Sequence, residues 1–215
     1  MELPSRLRQA VESALEGVAL SDLARSVEAL SQRYRNEVRD GRLHLADEKS
    51  ALAYLATRMP ATYASTRASL AAAAEALPTF APSTALDVGA GPGTALWAAA
   101  SCWPSLSDVV LLETSPVIRA WGERLCASAG PAQVVWRDAD IRKPLPDIPP
   151  RDLVTLAYVL DELAPTERDQ LVDRLWALTA GLLVIVEPGT PKGWQRILTA
   201  RDRLLIGYLD FLEAD

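Results

Sequence analysis

The sequence predicts an α/β protein: a Rossmann-like sheet of five parallel strands preceded by an α-helical N-terminal region. Three observations carry that reading. From Ala85 onward, short apolar runs alternate with helical stretches, as a parallel sheet requires, because each crossover between neighbouring strands needs a covering helix. The first run opens directly into a glycine-rich turn, Asp87-Val-Gly89-Ala-Gly91-Pro-Gly93-Thr94, and then a helix. Upstream, helix formers dominate until Pro78-Thr-Phe-Ala-Pro82-Ser-Thr84 interrupts them, which divides the chain into a helical domain, 1–80, and a sheet domain, 81–215.

Each element follows from local chemistry. Leu15 to Ala19 is apolar, and Ser21-Asp22 reads as a cap before a helix whose apolar residues Leu23, Val27, Leu30 and Tyr34 recur at helical spacing. Arg33, Arg35, Arg39 and Arg42 gather near its end, but Glu37 and Asp40 interleave them, as on a solvated face. His44, the only histidine, falls in a loop or short strand and reads as structural or solvated. Asp47 caps an alanine-rich helix from Ala51 to Met59, which breaks or kinks at Pro60 and resumes through Ala74. Beyond the glycine turn, strands are expected at Asp108–Glu113, Gln133–Trp136, Asp152–Tyr158 and Leu182–Glu187. A helix over Thr166–Ala180 sets Leu171, Leu175 and Leu178 on one face, and a last helix runs from Trp194 to Leu212.

The glycine spacing is G-x-G-x-G. A dinucleotide fingerprint would need glycine where Thr94 stands, and an acid two places before the first glycine, Asp87, turns the reading toward S-adenosylmethionine. Such a ligand needs close backbone approach at Gly89, Ala90, Gly91, Gly93 and Thr94, free amides and a nearby carboxylate. About 20 residues past the loop, where a Rossmann-type site places the acid that accepts from ribose hydroxyls, stands Glu113, with Thr114 next to it. After the third strand, Asp138 or Asp140 is the expected partner of the adenine amino group. After the fourth, Asp161 and Glu162 are the candidate general bases and Tyr158 an orienting or stacking side chain; a helix-start cap is the competing account of the two acids. No aromatic-proline tetrad of amino-directed nucleic-acid methyltransferases stands there.

Composition narrows the classes. At 215 residues and 49% hydrophobic, the chain holds material for a substantial core, with no run long enough to span a bilayer and no secretory signal. A cytoplasmic protein without membrane association is expected. Cys102 and Cys126 lack C-x-x-C spacing, so neither a metal site nor a disulfide is indicated. The first 80 residues are charge-balanced and the remainder carries the whole net charge of −6, against wrapping bare nucleic acid with that surface alone. Strand five, or its covering helix, would lie at an edge with apolar surface: either a partner covers it, or the chain is a fragment or natural truncation, or the last helix folds back over the edge.

A family resemblance rests on Arg58-Met-Pro60-Ala-Thr-Tyr63, the Asp87–Thr94 loop, Trp103-Pro104, Leu112-Glu-Thr-Ser-Pro116, Tyr158-Val-Leu-Asp-Glu-Leu163 and Glu187-Pro-Gly-Thr-Pro191. Together these resemble the methyltransferase-like assembly factors of the mitochondrial small ribosomal subunit and their bacterial relatives, from about Ala51 to Arg203. The resemblance implies a class I methyltransferase fold lacking its last two strands, and work close to the small subunit or its RNA. Family members continue into a segment whose cysteines hold an iron–sulfur cluster; no such pattern follows Arg203, so no cluster is expected in this chain. Arg58 and Tyr63 either roof the cofactor site or pack the two domains together. The expected function is methyl transfer from S-adenosylmethionine on or near small-subunit ribosomal RNA. The alternatives are a non-catalytic assembly factor that keeps the pocket, and a small-molecule methyltransferase.

Overall fold

Alternation along the strands decides how the chain folds on itself. In the computed structural model, which describes residues 2–38, 40–127 and 129–213, the helices α1 (Ser5–Leu15), α2 (Leu20–Arg35), α3 (Glu48–Thr57) and α4 (Met59–Ala76) precede all the strands. Then follow β1 (Thr84–Val88), α5 (Thr94–Cys102), β2 (Asp108–Leu112), α6 (Pro116–Cys126) and β3 (Gln133–Arg137). The chain continues through β4 (Arg151–Ala157), a 3-10 turn (Leu160–Glu162), α7 (Pro165–Ala177), β5 (Thr179–Val186) and α8 (Pro191–Glu213). All neighbouring strands are parallel, in the order β3-β2-β1-β4-β5. The order reverses between β1 and β4, where α/β sheets open a crevice beyond their carboxyl ends.

Because successive side chains point to opposite faces, the strands other than β3 feed two cores. Ala85, Val109, Leu111 and Leu153 pack with α1, α3, α4, α5 and α6. Leu86, Val88, Val110, Leu112, Val154 and Leu156 pack with α7 and α8 on the other face. The first core takes in Leu7, Leu55, Met59, Tyr63 and Leu70, so the helices before residue 80 and the sheet after it share one interior. A small third cluster, with Leu30, Leu45, Ala51 and Ile118, ties α2 and α3 to α6.

The expected elements are present, with shifted ends. Asp47 accepts from the Ser50 amide at 2.8 Å in a reciprocal capping box, and the break at Pro60 appears as separate helices hinged at Arg58. Ser21-Asp22 is not the cap of α2: the helix begins at Leu20, and Asp22 instead pairs with Arg25 one turn on. α7 ends at Ala177 rather than Ala180, and β5 starts at Thr179, whose hydroxyl donates to the Leu175 carbonyl at 2.7 Å. Arg33 pairs with Asp40 at 2.9 Å and Arg35 with Glu28 at 3.0 Å, while Arg39 lies outside the described residues. β5 is an edge strand, and Trp194, Leu205 and Ile206 of α8 are exposed. No helix among the described residues is long and apolar enough to cross a membrane.

Candidate functional site

The glycine turn needs every one of its glycines. Gly89, Gly91 and Gly93 have φ of +67°, +54° and +79°, in the left-handed region that side chains rarely adopt. A Cβ on Gly89 would lie 2.6 Å from the Val159 side chain, and one on Gly93 would overlap the Cys126 thiol. The turn closes through Ala90 N–H to the Leu112 carbonyl at 3.0 Å and Gly93 N–H to the Ala90 carbonyl at 2.9 Å. The Gly91 amide donates instead to Glu113 Oε2 at 2.9 Å, while Glu113 Oε1 accepts from the Ser115 amide at 2.8 Å. Burial raises the Glu113 carboxyl above its ordinary value, and these amide hydrogen bonds oppose the shift.

Above the turn lies a cavity of about 570 Å³, within the range of small-molecule and cofactor sites. Gly89, Gly91, Glu113 and Thr114 line its glycine-loop side; Tyr158, Asp161 and Glu162 line it beyond β4. Tyr34, Tyr54 and Arg58, from the helical region, close over it. Tyr158 has φ +61°, an unusual conformation for a bulky residue, and its hydroxyl shares a 2.7 Å hydrogen bond with Ser65 of α4. Burial, then the neighbouring Asp161 and Glu113, push the Glu162 carboxyl up to about 8. His44 stacks on Tyr34 with ring centroids 4.7 Å apart, and burial lowers its imidazole to about 4, so it is neutral at pH 7.

The sequence-predicted residues divide. The structure brings Gly89, Gly91, Glu113, Thr114, Tyr158, Asp161 and Glu162 to one cavity. Asp87 lies beneath, on the α5 face of the sheet, with its Oδ1 accepting from the Thr155 hydroxyl at 2.7 Å. Burial pushes its carboxyl up to about 7. Ala90, Gly93 and Thr94 shape the turn without lining the cavity. After β3 it is Ala139 and Ile141 that line it; Asp138 faces solvent beside Arg119 at 3.6 Å, and Asp140 accepts from the Arg142 amide at 3.0 Å. Tyr63 is buried core, whereas Arg58 lines the cavity.

Behind the cavity wall lies a charged group that the sequence does not announce. Glu187, at the end of β5, accepts from the Leu160 amide at 3.1 Å and from Arg196 of α8 at 2.6 Å, and Arg196 also reaches Glu37 at 3.2 Å. The run Glu187-Pro-Gly189 was visible as a motif, but only the fold reveals its partners. Cys126 is buried, its thiol pushed up to about 12 by burial, and no metal-ligating group gathers among the described residues.

A parallel 3-2-1-4-5 sheet with a glycine loop, a β2-end acid and a cavity at the strand ends defines a Rossmann-like protein of class I methyltransferase fold. Solved structures agree. The plantazolicin methyltransferase BpumL, in complex with SAH, superposes with a TM-score of 0.54 at 13% identity, covering 74% of this chain and 60% of that one. Human N-acetylserotonin methyltransferase, in complex with SAM, gives 0.52 at 17% identity over 73% and 48%. At such identities the likeness speaks for the fold. Residues 48–211 match the family model described as mitochondrial small ribosomal subunit Rsm22, and the chain belongs to that family. It is 28% identical to the human mitochondrial ribosome assembly protein METTL17, over 96% of this chain and 46% of that protein. The chain thus spans about half the length of this curated relative.

Proposed function

We propose that the protein binds S-adenosylmethionine in the 570 Å³ cavity and serves small-subunit ribosome assembly, with methyl transfer on or beside the ribosomal RNA as its chemistry. The observation that carries this is the convergence of Gly89, Gly91 and Glu113 at the strand-order reversal, under a roof from α2–α4. The residues fit the ligand. A Cβ on Gly91 would meet nothing within 4 Å, so the loop backbone is open to the cavity there, and Glu113, which accepts from the Gly91 and Ser115 amides, presents a carboxylate that can also accept from a ribose hydroxyl. When bound, the ligand supplies an electrophilic methyl group on its sulfonium.

The chain's own work is then to position an acceptor and exclude water. Tyr158, held by Ser65, presents its ring at the end of β4, and Asp161 and Glu162 stand beside it to take up a proton from an N–H or O–H acceptor. Glu162, near 8, is mostly protonated at pH 7, which favours a second reading: an assembly protein that retains the pocket without turnover. The acidic surface favours a ribonucleoprotein particle over bare RNA as partner, and a further contact at the β5 edge belongs to the same reading.

Calorimetric titration with S-adenosylmethionine tests the pocket. Wild-type protein should saturate, and Gly89→Ala and Glu113→Ala should each weaken binding at least ~10-fold, the first through clash and backbone strain, the second through lost charge-assisted hydrogen bonds. Failure of the wild type to bind would overturn the reading. Transfer of labelled methyl groups to small subunits separates turnover from retention of the pocket alone.

A further inference from the structure

Four arginines line the cavity among the described residues: Arg35, Arg58, Arg142 and Arg196. Three are matched by acids: Arg35 by Glu28 at 3.0 Å, Arg142 by Asp140 at 3.7 Å, and Arg196 by Glu187 at 2.6 Å. The Arg58 side chain has no ion-pair or hydrogen-bond partner among the described residues, and its Nε is buried without an acceptor. Its guanidinium instead lies 4.0 Å from the centroid of the Tyr34 ring, whose neighbour His44 stacks on the same residue. A guanidinium stays charged at any physiological pH; Arg58 is part-buried, and its Nε is withdrawn from water with no acceptor, which costs free energy. A cation–π contact recovers only part of that cost.

The placement is specific. Arg58 stands at the hinge between α3 and α4 and, with Tyr54 of α3, lines the cavity that Gly89, Gly91 and Glu113 also line. Arg58 therefore shares one cavity with the glycine loop. A ligand with an amino-acid moiety brings a carboxylate into this cavity, and a carboxylate leaving water needs a cation as much as the cation needs an anion. We propose that Arg58, aligned by the Tyr34 ring, is the binding residue for the α-carboxylate of S-adenosylmethionine. The assignment rests on the cofactor reading above and adds a residue and a ligand group to it.

The test is a thermodynamic cycle read by calorimetry, with no turnover required. S-adenosylmethionine and its decarboxylated analogue, which lacks only the carboxylate, are titrated into wild-type protein and Arg58→Gln. The variant should weaken S-adenosylmethionine about 10- to 100-fold, the range of a charge-assisted pair, and leave the decarboxylated analogue unchanged within about 2-fold. Equal weakening of both ligands would overturn the assignment, making Arg58 a roof residue only. An unchanged affinity for both would overturn it too, and competition of inorganic phosphate with the ligand would then report whether Arg58 serves a phosphate. If the wild type binds neither ligand, the cofactor reading itself fails, which is a distinct result. Should Arg58→Gln not fold by circular dichroism, Arg58→Lys replaces it: a selective loss for the carboxylate-bearing ligand supports the pairing, and an equal loss for both refutes it. Tyr34→Phe keeps the ring face and should match wild type.

Discussion

Asp87 stands in the glycine-loop motif yet is not among the residues that line the cavity. It faces α5 rather than the cavity, buried, with Thr155 donating to one oxygen, and its carboxyl is pushed up to about 7. Such an acid binds its proton more tightly in the folded than in the unfolded chain. The fold is therefore unaffected below the ordinary carboxylate range, where both states are protonated; it loses stability as pH rises from about 4 to about 7, and remains at the lower level above. Asp87→Asn keeps the acceptor for Thr155 and removes the charge, so the variant should escape about 2–4 kcal/mol of that decline. Denaturant unfolding at pH 4.5 and pH 8 measures it. Glu162, pushed up to about 8, and Glu113 and Glu187 are also raised by burial and act in the same direction, so the slope shrinks without vanishing. An identical pH slope in variant and wild type would show that Asp87 is ionised in the fold.

Between elements, the strongest electrostatic joint is Glu187–Arg196–Glu37, which ties the end of β5 to α8, the 3-10 turn and the loop after α2. Glu187 and Arg196 have side chains only 1% and 6% exposed, so removing one strands the other. Arg196→Met should cost about 3–5 kcal/mol in urea unfolding, and adding Glu187→Leu should recover much of it, because a buried pair is far costlier to break than to replace. A loss below about 1 kcal/mol for the single variant would mean that the pair is solvated. This joint also marks the limit of what the sequence shows. Five strands, the Asp47 cap and the break at Pro60 are legible because each is a local signal of periodicity, capping or ring geometry. The glycine loop, Glu113, Tyr158, Asp161 and Glu162 are legible because strand ends place them together. Glu187 with Arg196, and Tyr34 with Arg58, are pairings across distant chain segments that no local pattern encodes. Asp138 and Asp140 do not line the cavity because they stand in the loop beyond β3, where Ala139 and Ile141 turn inward while the two acids meet Arg119 and the Arg142 amide, a loop course that no periodicity encodes.

At the scale of the molecule, the helical region and the sheet are distinct in sequence and joined in packing. Leu7 and Val11 of α1, Leu55 of α3, and Met59, Tyr63 and Leu70 of α4 belong to the core that also holds Ala85, Leu96, Leu111 and Leu153. The same helices supply Tyr34, Tyr54 and Arg58 to the cavity, so what stabilises the sheet also completes the site. Stripping residues 1–80 would expose one face of the sheet helices to water, and each large buried side chain uncovered there forfeits about 1.5–3 kcal/mol of transfer free energy. Several such losses exceed the net stability of a domain this size, roughly 5–15 kcal/mol. The intact chain should therefore melt in one cooperative transition, and a chain cut to residues 81–215 should show no cooperative melt and should bind hydrophobic dye. A sharp, reversible melt of the 81–215 fragment would instead establish the sheet as an independent folding unit, with the helical region docked on it as a separable roof.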